Sequence, residues 1–90
     1  MFDNPTGNGF HITFANGWTA SVQWGGGNYC DNHLLCFSFG EKVPPSKTAE
    51  VWCWGPKGVT VPEHLQDVQG YLSPNEVLAY ITEVSSLPSQ

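Results

Sequence analysis

Apolar and polar residues alternate regularly over residues 10–24. The segment FHITFANGWTASVQW places an apolar side chain at every second position before and after the dipeptide Asn16-Gly17. A period of two residues is typical of a β-strand with one buried face. Asn-Gly between two such runs is a strong signal for a tight turn. The segment therefore predicts an antiparallel hairpin that turns at Asn16-Gly17.

Burial of the large apolar side chains predicts the register of this hairpin. A two-residue Asn-Gly loop would put the apolar sets of the two strands on opposite faces of the sheet. A three-residue loop, Ala15-Asn16-Gly17, collects them on one face. It pairs Phe14 with Trp18, Ile12 with Ala20, and Phe10 with Val22. Because a slip of one residue reverses the face of every side chain, we expect the three-residue loop. It should be a type I turn with Gly17 left-handed as a G1 bulge.

Shorter apolar runs predict the remaining strands. Leu34–Phe39 predicts a third strand, Thr48–Trp54 a fourth, and Val59–Val61 a short edge strand before Pro62. The adjacent prolines in GEKVPPS, between the third and fourth strands, prevent ordinary sheet pairing. Residues 1–8 are expected to be a loose, turn-rich lead-in, and residues 62–70 an irregular connection.

The sequence predicts that a helix begins at Ser73-Pro74-Asn75-Glu76. Ser73 fits the N-cap, Pro74 the first helical position and Glu76 the third, which completes a capping box. Leu72 and Val77 have the spacing of a hydrophobic staple. An apolar stripe at helical spacing predicts a helix that ends near Ser85–Ser86. The stripe consists of Val77, Leu78, Ile81 and Val84, with Tyr80 beside them.

These elements predict one α+β domain over residues 1–90. Its antiparallel sheet of four to five strands carries one C-terminal helix packed on one face. A helix of this length covers a limited area, and the runs Leu34–Phe39 and Val51–Trp54 are apolar on both faces. We therefore expect loops or another subunit to cover the second face, which leaves a homo-oligomer open.

The charge of the chain is sparse and acidic. Three Lys and no Arg face eight Asp and Glu, for a formal net charge of −5. A protein that grips phosphate backbones needs clustered Lys or Arg, so we expect no direct contact with nucleic acid. Docking on a basic protein surface is compatible with this charge, although scattered acidity is also ordinary for a soluble protein.

Three cysteines, Cys30, Cys36 and Cys53, cannot all pair within one chain. The sequence shows no signal-peptide pattern and no apolar run long enough for a transmembrane helix. We therefore expect free thiols, a reducing cytoplasm and no membrane partner.

The stretch WGGGNYCDN is the leading candidate for a ligand site. Successive backbone N–H groups without side chains can form an anion-binding nest, and aromatic side chains offer surfaces on which a base stacks. These properties suit a nucleotide-like ligand. The same glycines would also be expected in a simple strand connection that needs positive φ. The candidate residues are Trp24, Gly25, Gly26, Gly27, Asn28, Tyr29, Asp31 and Asn32.

The thiols and imidazoles offer weaker candidates. Cys30, His33 and Cys36, with Cys53, have zinc-ligand chemistry, but the spacing fits zinc knuckles poorly. We expect Cys36 and Cys53 to be core residues and predict no metal and no cofactor. A nucleophile at Cys30 with His33 or His11 as base has no supporting signature, so no catalytic residue is predicted.

Three other side chains have structural interpretations. Trp52 and Trp54 share one face of a strand, and packing against the helix is favoured over a recognition surface. His64, beside Glu63, is expected to be a solvated loop residue.

Three segments carry a resemblance: FHITFANGWTASVQWGGGNYCDN, TAEVWCW and VQGYLSPNEVLAYI. Together they resemble a family of small accessory proteins of bacteriophages, especially phages of actinobacteria. The recurrent pattern of that family looks like NG[WY]T.S.Q.G.GNYC, followed later by an acidic or polar strand and a G[WY]LSP-E-V helix start. The resemblance covers most of the chain and implies an accessory protein made in the cytoplasm of the infected host. It implies no catalytic residues.

The leading hypothesis is a non-enzymatic phage protein that interferes with host defence by binding. The preferred form is sequestration of a nucleotide-type signal at residues 24–32. One alternative is an acidic protein–protein inhibitor of a host nucleic-acid-binding defence complex, and another is a minor virion or assembly protein. An enzyme with Cys30 as nucleophile ranks last.

Overall fold

The computed structural model of the protein describes residues 1–3, 8–24 and 46–88. Within these ranges five strands pair in one antiparallel sheet in sequence order, and one α-helix packs on it. The elements are β1 (Phe2–Asp3), β2 (Gly9–Thr13), β3 (Thr19–Gln23), β4 (Ala49–Trp54), β5 (Gln69–Leu72) and α1 (Pro74–Ser85). The predicted α+β class is therefore confirmed, with its C-terminal helix on one face.

The hairpin of β2 and β3 has the predicted register. Ile12 pairs with Ala20 and Phe10 pairs with Val22. The Phe14 N–H donates to the Trp18 carbonyl at 2.8 Å, and the Gly17 N–H donates to the Phe14 carbonyl at 2.9 Å. Gly17 has a φ of 87°, the left-handed conformation expected of a G1 bulge. Burial of one apolar face thus determined the loop length.

Two predictions about the sheet edges are wrong. Phe2–Asp3, placed in a loose lead-in, forms β1 and pairs with β2. Val59–Val61 is not a strand, because turns and a side chain take up its backbone groups. The Val59 N–H donates to the Pro56 carbonyl at 3.0 Å, and Gln66 Nε2 donates to the Val61 carbonyl at 3.0 Å.

The strand at the second edge of the sheet begins inside residues 62–70, which were expected to form an irregular connection, and ends just after them. There Glu63–Leu65 forms a 3₁₀ turn and Gln69–Leu72 forms β5. The pairing of β5 with β4 contains a register shift, and Tyr71 has a φ of 58°. The predicted strand Leu34–Phe39 lies outside the described residues.

The core lies between α1 and the side of the sheet that faces it, here called the inner face. The pairing places Val22 opposite Val51, and Ala20 opposite Cys53, so that these four side chains share this face. Its buried hydrophobic residues are Trp18, Ala20, Val22, Ala49, Val51, Cys53, Leu65, Tyr80 and Val84. The strand alternation therefore supplies one side of the core and α1 the other.

Helix α1 has the predicted boundaries but a shifted buried stripe. Tyr80 and Val84 are buried, and Val77 and Ile81 pack against them at the rim of the core. Leu78, expected on the apolar face, is 64% exposed. Positions 77, 80, 81 and 84 follow the i, i+3, i+4, i+7 spacing of one helix face, whereas position 78 lies outside that stripe. Within the described residues, no helix combines the length and apolar character that a membrane crossing requires.

The capping box at the start of α1 is confirmed. The Glu76 N–H donates to Ser73 Oγ at 3.3 Å, and the Ser73 N–H donates to Glu76 Oε1 at 3.0 Å. Hydrogen bonding to the Ser73 backbone, and then to its side chain, holds the pKa of Glu76 below its usual value. The ionised carboxylate therefore favours the folded helix terminus.

We expect Glu76→Gln to remove the pH-dependent contribution that the Glu76 carboxylate makes to helix stability. Because the folded pKa of Glu76 is depressed, its contribution is present above the unfolded pKa of about 4.3 and is lost as pH falls through the folded pKa. Glutamine can still complete a capping box. Wild type should therefore be more stable than the variant at neutral pH, with the difference vanishing in acid.

Urea unfolding followed by circular dichroism over a pH series measures this difference. Glu63→Gln, a change at an exposed glutamate in the 3₁₀ turn, is the matched control. A difference between wild type and Glu76→Gln that stays constant with pH would contradict the assignment.

The end of α1 is held by the hairpin turn. Asn16 Nδ2 donates to the carbonyls of Val84, Ser85 and Leu87 at 3.0, 3.2 and 2.8 Å. Trp18 Nε1 donates to the Pro88 carbonyl at 3.1 Å. We call these hydrogen bonds the C-terminal latch. They add donors to carbonyls at the end of the helix, of which Val84 also accepts from the Leu87 N–H at 3.2 Å, and they tie residues far apart in sequence.

Candidate functional site

Trp24 is the one member of the predicted ligand segment that the structure describes. Its N–H donates to the Asn8 carbonyl at 3.0 Å, and its half-buried side chain packs against the core. Hydrogen bonding between the strands thus extends through Trp24, the residue next to Gly25. The other candidates, Gly25, Gly26, Gly27, Asn28, Tyr29, Asp31 and Asn32, lie outside the described residues.

Trp52 and Trp54 face away from α1, which corrects the expectation that they pack against the helix. Strand β4 alternates, with Val51 and Cys53 buried on the inner face. Trp52 and Trp54 consequently project from the opposite side, here called the outer face. Either set of residues is apolar enough to form a core. The cross-strand pairing of Val51 and Cys53 with small apolar residues of β3 determines which set is buried.

Aromatic rings cover a polar layer on the outer face. The His11 and Trp54 rings meet edge to face, with centroids 5.0 Å apart, and the Trp52 and Trp54 centroids are 5.6 Å apart. His11 belongs to β2 and Trp54 to β4, so their contact spans β3. The β3 side chains on this face, Thr19, Ser21 and Gln23, are all buried.

Hydrogen bonds connect the polar groups of this layer. The Thr13 and Thr19 hydroxyl oxygens are 2.9 Å apart, and Gln23 Nε2 donates to Ser21 Oγ at 3.3 Å. Buried polar groups are stable in a sheet when they are paired in this way. The outer face is therefore an ordered layer of hydrogen-bonded polar groups beneath aromatic rings. His11, which the sequence offered as a possible catalytic base, is one of these rings.

Trp52 is the most exposed aromatic ring of this layer. Its indole N–H donates to the Gln66 carbonyl at 3.1 Å, and the residue is 43% exposed. The hydrogen bond orients the ring, while part of the indole surface meets solvent. Such a ring can stack on a planar ligand or anchor a protein partner.

A cleft of about 390 Å³ lies between the 3₁₀ turn, β5 and α1. Its lining combines apolar, polar and acidic residues. Its lining residues are His64, Leu65, Gln69, Leu72, Glu76, Ala79, Tyr80 and Glu83. His64, expected to be a solvated loop residue, is exposed as predicted but belongs to the 3₁₀ turn and pairs with Glu83. Both carboxylates of the lining have partners within the protein, because Glu76 accepts from the Ser73 N–H and Glu83 pairs with His64.

Cys53 is a core residue, as predicted. It is 1% exposed, and its thiol donates to the Leu65 carbonyl at 3.9 Å. Burial raises the pKa of Cys53, so the thiol remains protonated and unreactive. Cys30, His33 and Cys36 lie outside the described residues. Among the residues that the structure describes, no group of three or more His, Cys, Asp or Glu side chains is placed to hold a metal ion.

The Tyr80 hydroxyl is buried without a hydrogen-bond partner of normal geometry. Burial raises the pKa of Tyr80, and the neighbouring Cys53 raises it further. A neutral hydroxyl that loses its water and gains no partner costs free energy. The ring of Tyr80 therefore stabilises the core while its hydroxyl opposes that stabilisation.

We expect Tyr80→Phe to leave the free energy of unfolding unchanged or to raise it by about 1 kcal/mol. Tyr80→Leu, which also removes the ring, should lower it by about 1–3 kcal/mol. Urea unfolding of the three proteins measures both changes. A loss above about 1 kcal/mol in Tyr80→Phe would mean that the hydroxyl has a stabilising partner in solution.

Sequence reasoning missed the cleft, although part of its signal was present. Glu76, Tyr80 and Glu83 follow the i, i+4, i+7 spacing of one helix face. Their opposite wall depends on the 3₁₀ turn and β5, which no local pattern predicted.

Comparison with known proteins adds no family: no family model, curated protein or solved structure matches this chain.

Proposed function

We propose that the protein is a non-enzymatic binding protein of a bacteriophage that interferes with a host defence system. We take its ligand to be a nucleotide-type signal bound by residues 24–32. The observation that supports this site best is the position of Trp24, the last described residue before the glycines. Its backbone is hydrogen-bonded to Asn8, and its side chain packs on the core.

Anchoring at Trp24 matters because binding is opposed by the entropy of ordering a loop. A segment that starts from a fixed residue has fewer conformations to lose. Glycine N–H groups suit phosphate oxygens, while Asn28 and Tyr29 add polar and aromatic groups for a base or ribose. The acidic chain, with no Arg, disfavours long phosphate backbones more than a single small anion.

Calorimetry against cyclic nucleotides and ADP-ribose derivatives tests the proposal. We expect measurable heat with at least one of them. Gly26→Val and Asn28→Ala should each weaken that affinity by about tenfold or more, the equivalent of 1.4 kcal/mol. Gly58→Ala, in the exposed turn after β4, should leave affinity unchanged. No heat with any ligand would eliminate this form of the proposal.

A protein–protein inhibitor is the second candidate, and the outer face supports it. Trp is over-represented among interface anchors, and Trp52 is exposed on a chain of net charge −5. In this form the protein would dock on the basic nucleic-acid channel of a host defence complex and mimic DNA. Opposite charge would speed that association and make it sensitive to salt.

Pull-down from host lysate at increasing salt separates the two candidates. Loss of a captured basic protein in Trp52→Ala but not in Leu78→Ala would support the inhibitor. Leu78 is a suitable control because it is exposed and apolar but lies on α1, on the other side of the sheet. Recovery of the chain in purified virions would instead support an assembly role.

A further inference from the structure

Asn16-Gly17 combines a chemically labile dipeptide with the C-terminal latch. Asparagine followed by glycine is prone to deamidation, because glycine lacks a Cβ that would hinder attack by its backbone nitrogen. The side-chain amide that such a reaction removes is here the donor to Val84, Ser85 and Leu87. Chemistry at this one residue therefore bears on the attachment of α1.

The reaction needs only water and a base. The Gly17 nitrogen, after losing its proton to the base, forms a bond to Asn16 Cγ. The Cγ–Nδ2 bond breaks, and the side-chain nitrogen takes up the proton that the base removed and leaves as ammonia. Water then opens the resulting succinimide at either carbonyl to give aspartate or isoaspartate. One water is consumed and one ammonia is released, with no oxidation or reduction.

Hydrogen bonds hold both the attacking Gly17 nitrogen and the Asn16 side-chain amide in the folded protein. The Gly17 N–H donates to the Phe14 carbonyl at 2.9 Å, so the attacking nitrogen is engaged in the turn. The Trp18 N–H donates to Asn16 Oδ1 at 3.0 Å, while Asn16 Nδ2 makes three of the four bonds of the C-terminal latch. Attack requires the side chain to leave all of these partners. The reaction is consequently limited to molecules in which the latch has opened.

We propose that Asn16 is a deamidation site protected by the C-terminal latch, and that its conversion opens the latch irreversibly. The aspartate product has no N–H to donate and places a negative charge against the helix carbonyls, where the helix dipole disfavours anions. The isoaspartate product also moves the β-carbon into the main chain and lengthens the turn. Neither product can re-form the three bonds to residues 84, 85 and 87.

A second Asn-Gly dipeptide, Asn8-Gly9, provides an internal reference. We would incubate native protein and urea-unfolded protein in the same mildly alkaline buffer. Peptide mass spectrometry would then follow conversion at Asn16 and Asn8 separately. Asn16→Gln keeps an amide but deamidates far more slowly, so it serves as the blank. Val84→Ala, which removes core packing beneath the last turn of α1 without changing either dipeptide, is the test variant.

We expect Asn16 to react at least about tenfold more slowly in native protein than in urea, the difference expected for a protected local opening. Under native conditions, Val84→Ala should raise the rate of deamidation at Asn16 relative to the rate at Asn8. Normalising to Asn8 separates opening of the latch from a general failure to fold. The purified deamidated protein should exchange the amides of residues 85–87 faster than wild type.

Two results would overturn the proposal. Equal rates at Asn16 in native and unfolded protein would show that the fold gives no protection. Unchanged hydrogen exchange at residues 85–87 in the deamidated protein would show that the latch survives the reaction.

Discussion

Replacing Asn16 with aspartate should lower the free energy of unfolding by about 3 kcal/mol. The change removes an amide whose two hydrogens are shared among three carbonyls, and each hydrogen contributes about 1 kcal/mol. It also places a carboxylate at the negative end of α1. For a chain of this size, about 1 kcal/mol lowers the melting temperature by roughly 4–8 °C. Urea unfolding and thermal melts measure the loss.

The deficit of Asn16→Asp should shrink in acid. Facing carbonyl oxygens, the new carboxyl group favours its protonated form, so its folded pKa should exceed the unfolded value of about 3.9. A raised folded pKa adds stability as pH falls through it. At low pH the loss of stability in Asn16→Asp should therefore approach the loss in Asn16→Ala, which lacks both the donor and the charge. Both losses are measured against wild type at the same pH. A deficit that does not change with pH would contradict the charge contribution.

Asn75→Asp makes the same chemical change at the opposite end of the same helix. Asn75 is exposed in the first turn of α1, where the helix dipole favours a negative charge. This control should be neutral or stabilising by a few tenths of a kcal/mol. Equal losses in the two variants would show that the C-terminal latch contributes nothing specific.

The two elements that sequence predicted best contain complete local signals. The β2–β3 hairpin has an alternating pattern on both sides of a turn, so burial of one face selects one register. Helix α1 has its N-cap, first-position proline and capping box within Ser73–Glu76. In both cases, residues close together in sequence determine the structure.

The sheet edges could not be predicted because their pairing depends on partners distant in sequence. Strand β5 has only four residues, QGYL, with a glycine inside and a left-handed Tyr71. The short length and the glycine argue against a strand when only the local sequence is considered, and no sequence pattern indicates the left-handed conformation of Tyr71. Its pairing with Ala49 and Val51 overrides that local preference.

The face of β4 posed a different problem. Val51 and Cys53 alternate with Trp52 and Trp54, and both sets are apolar. Periodicity shows that the sets lie on opposite faces but not which face is covered by α1. The larger side chains lie on the outer face, over the small hydroxyl groups of β3.

The candidate ligand segment has a similar division between local and distant information. Trp24, at the end of the alternating pattern, is bonded to Asn8 and packs on the core, whereas the rest of the segment lies outside the described residues. The C-terminal latch shows what local reading leaves out. Asn16 has the chemistry of a turn residue in sequence, whereas its side chain bonds to residues 84–87, which no turn pattern identifies.

Replacing Gly17 with valine should lower the free energy of unfolding by about 2–6 kcal/mol. Gly17 has a φ of 87°, and a left-handed conformation costs a β-branched residue about 1–3 kcal/mol. A Cβ at this position would lie 2.7 Å from Pro56 Cγ, and relieving such overlap costs about another 1–3 kcal/mol. Thermal and urea unfolding measure the sum. An unchanged melting temperature would contradict the register of the hairpin.

Gly58→Val separates the two causes. Gly58 also has a φ of 87°, but a Cβ there meets no atom within 4 Å. This control therefore carries the conformational cost alone and should lose about 1–3 kcal/mol. Pro56→Ala removes Pro56 Cγ, so in a double-mutant cycle it should recover part of the loss in Gly17→Val and none of the loss in Gly58→Val. Equal losses in the two glycine variants would instead assign the whole effect to backbone conformation and exclude contact between the turn and Pro56 as a cause.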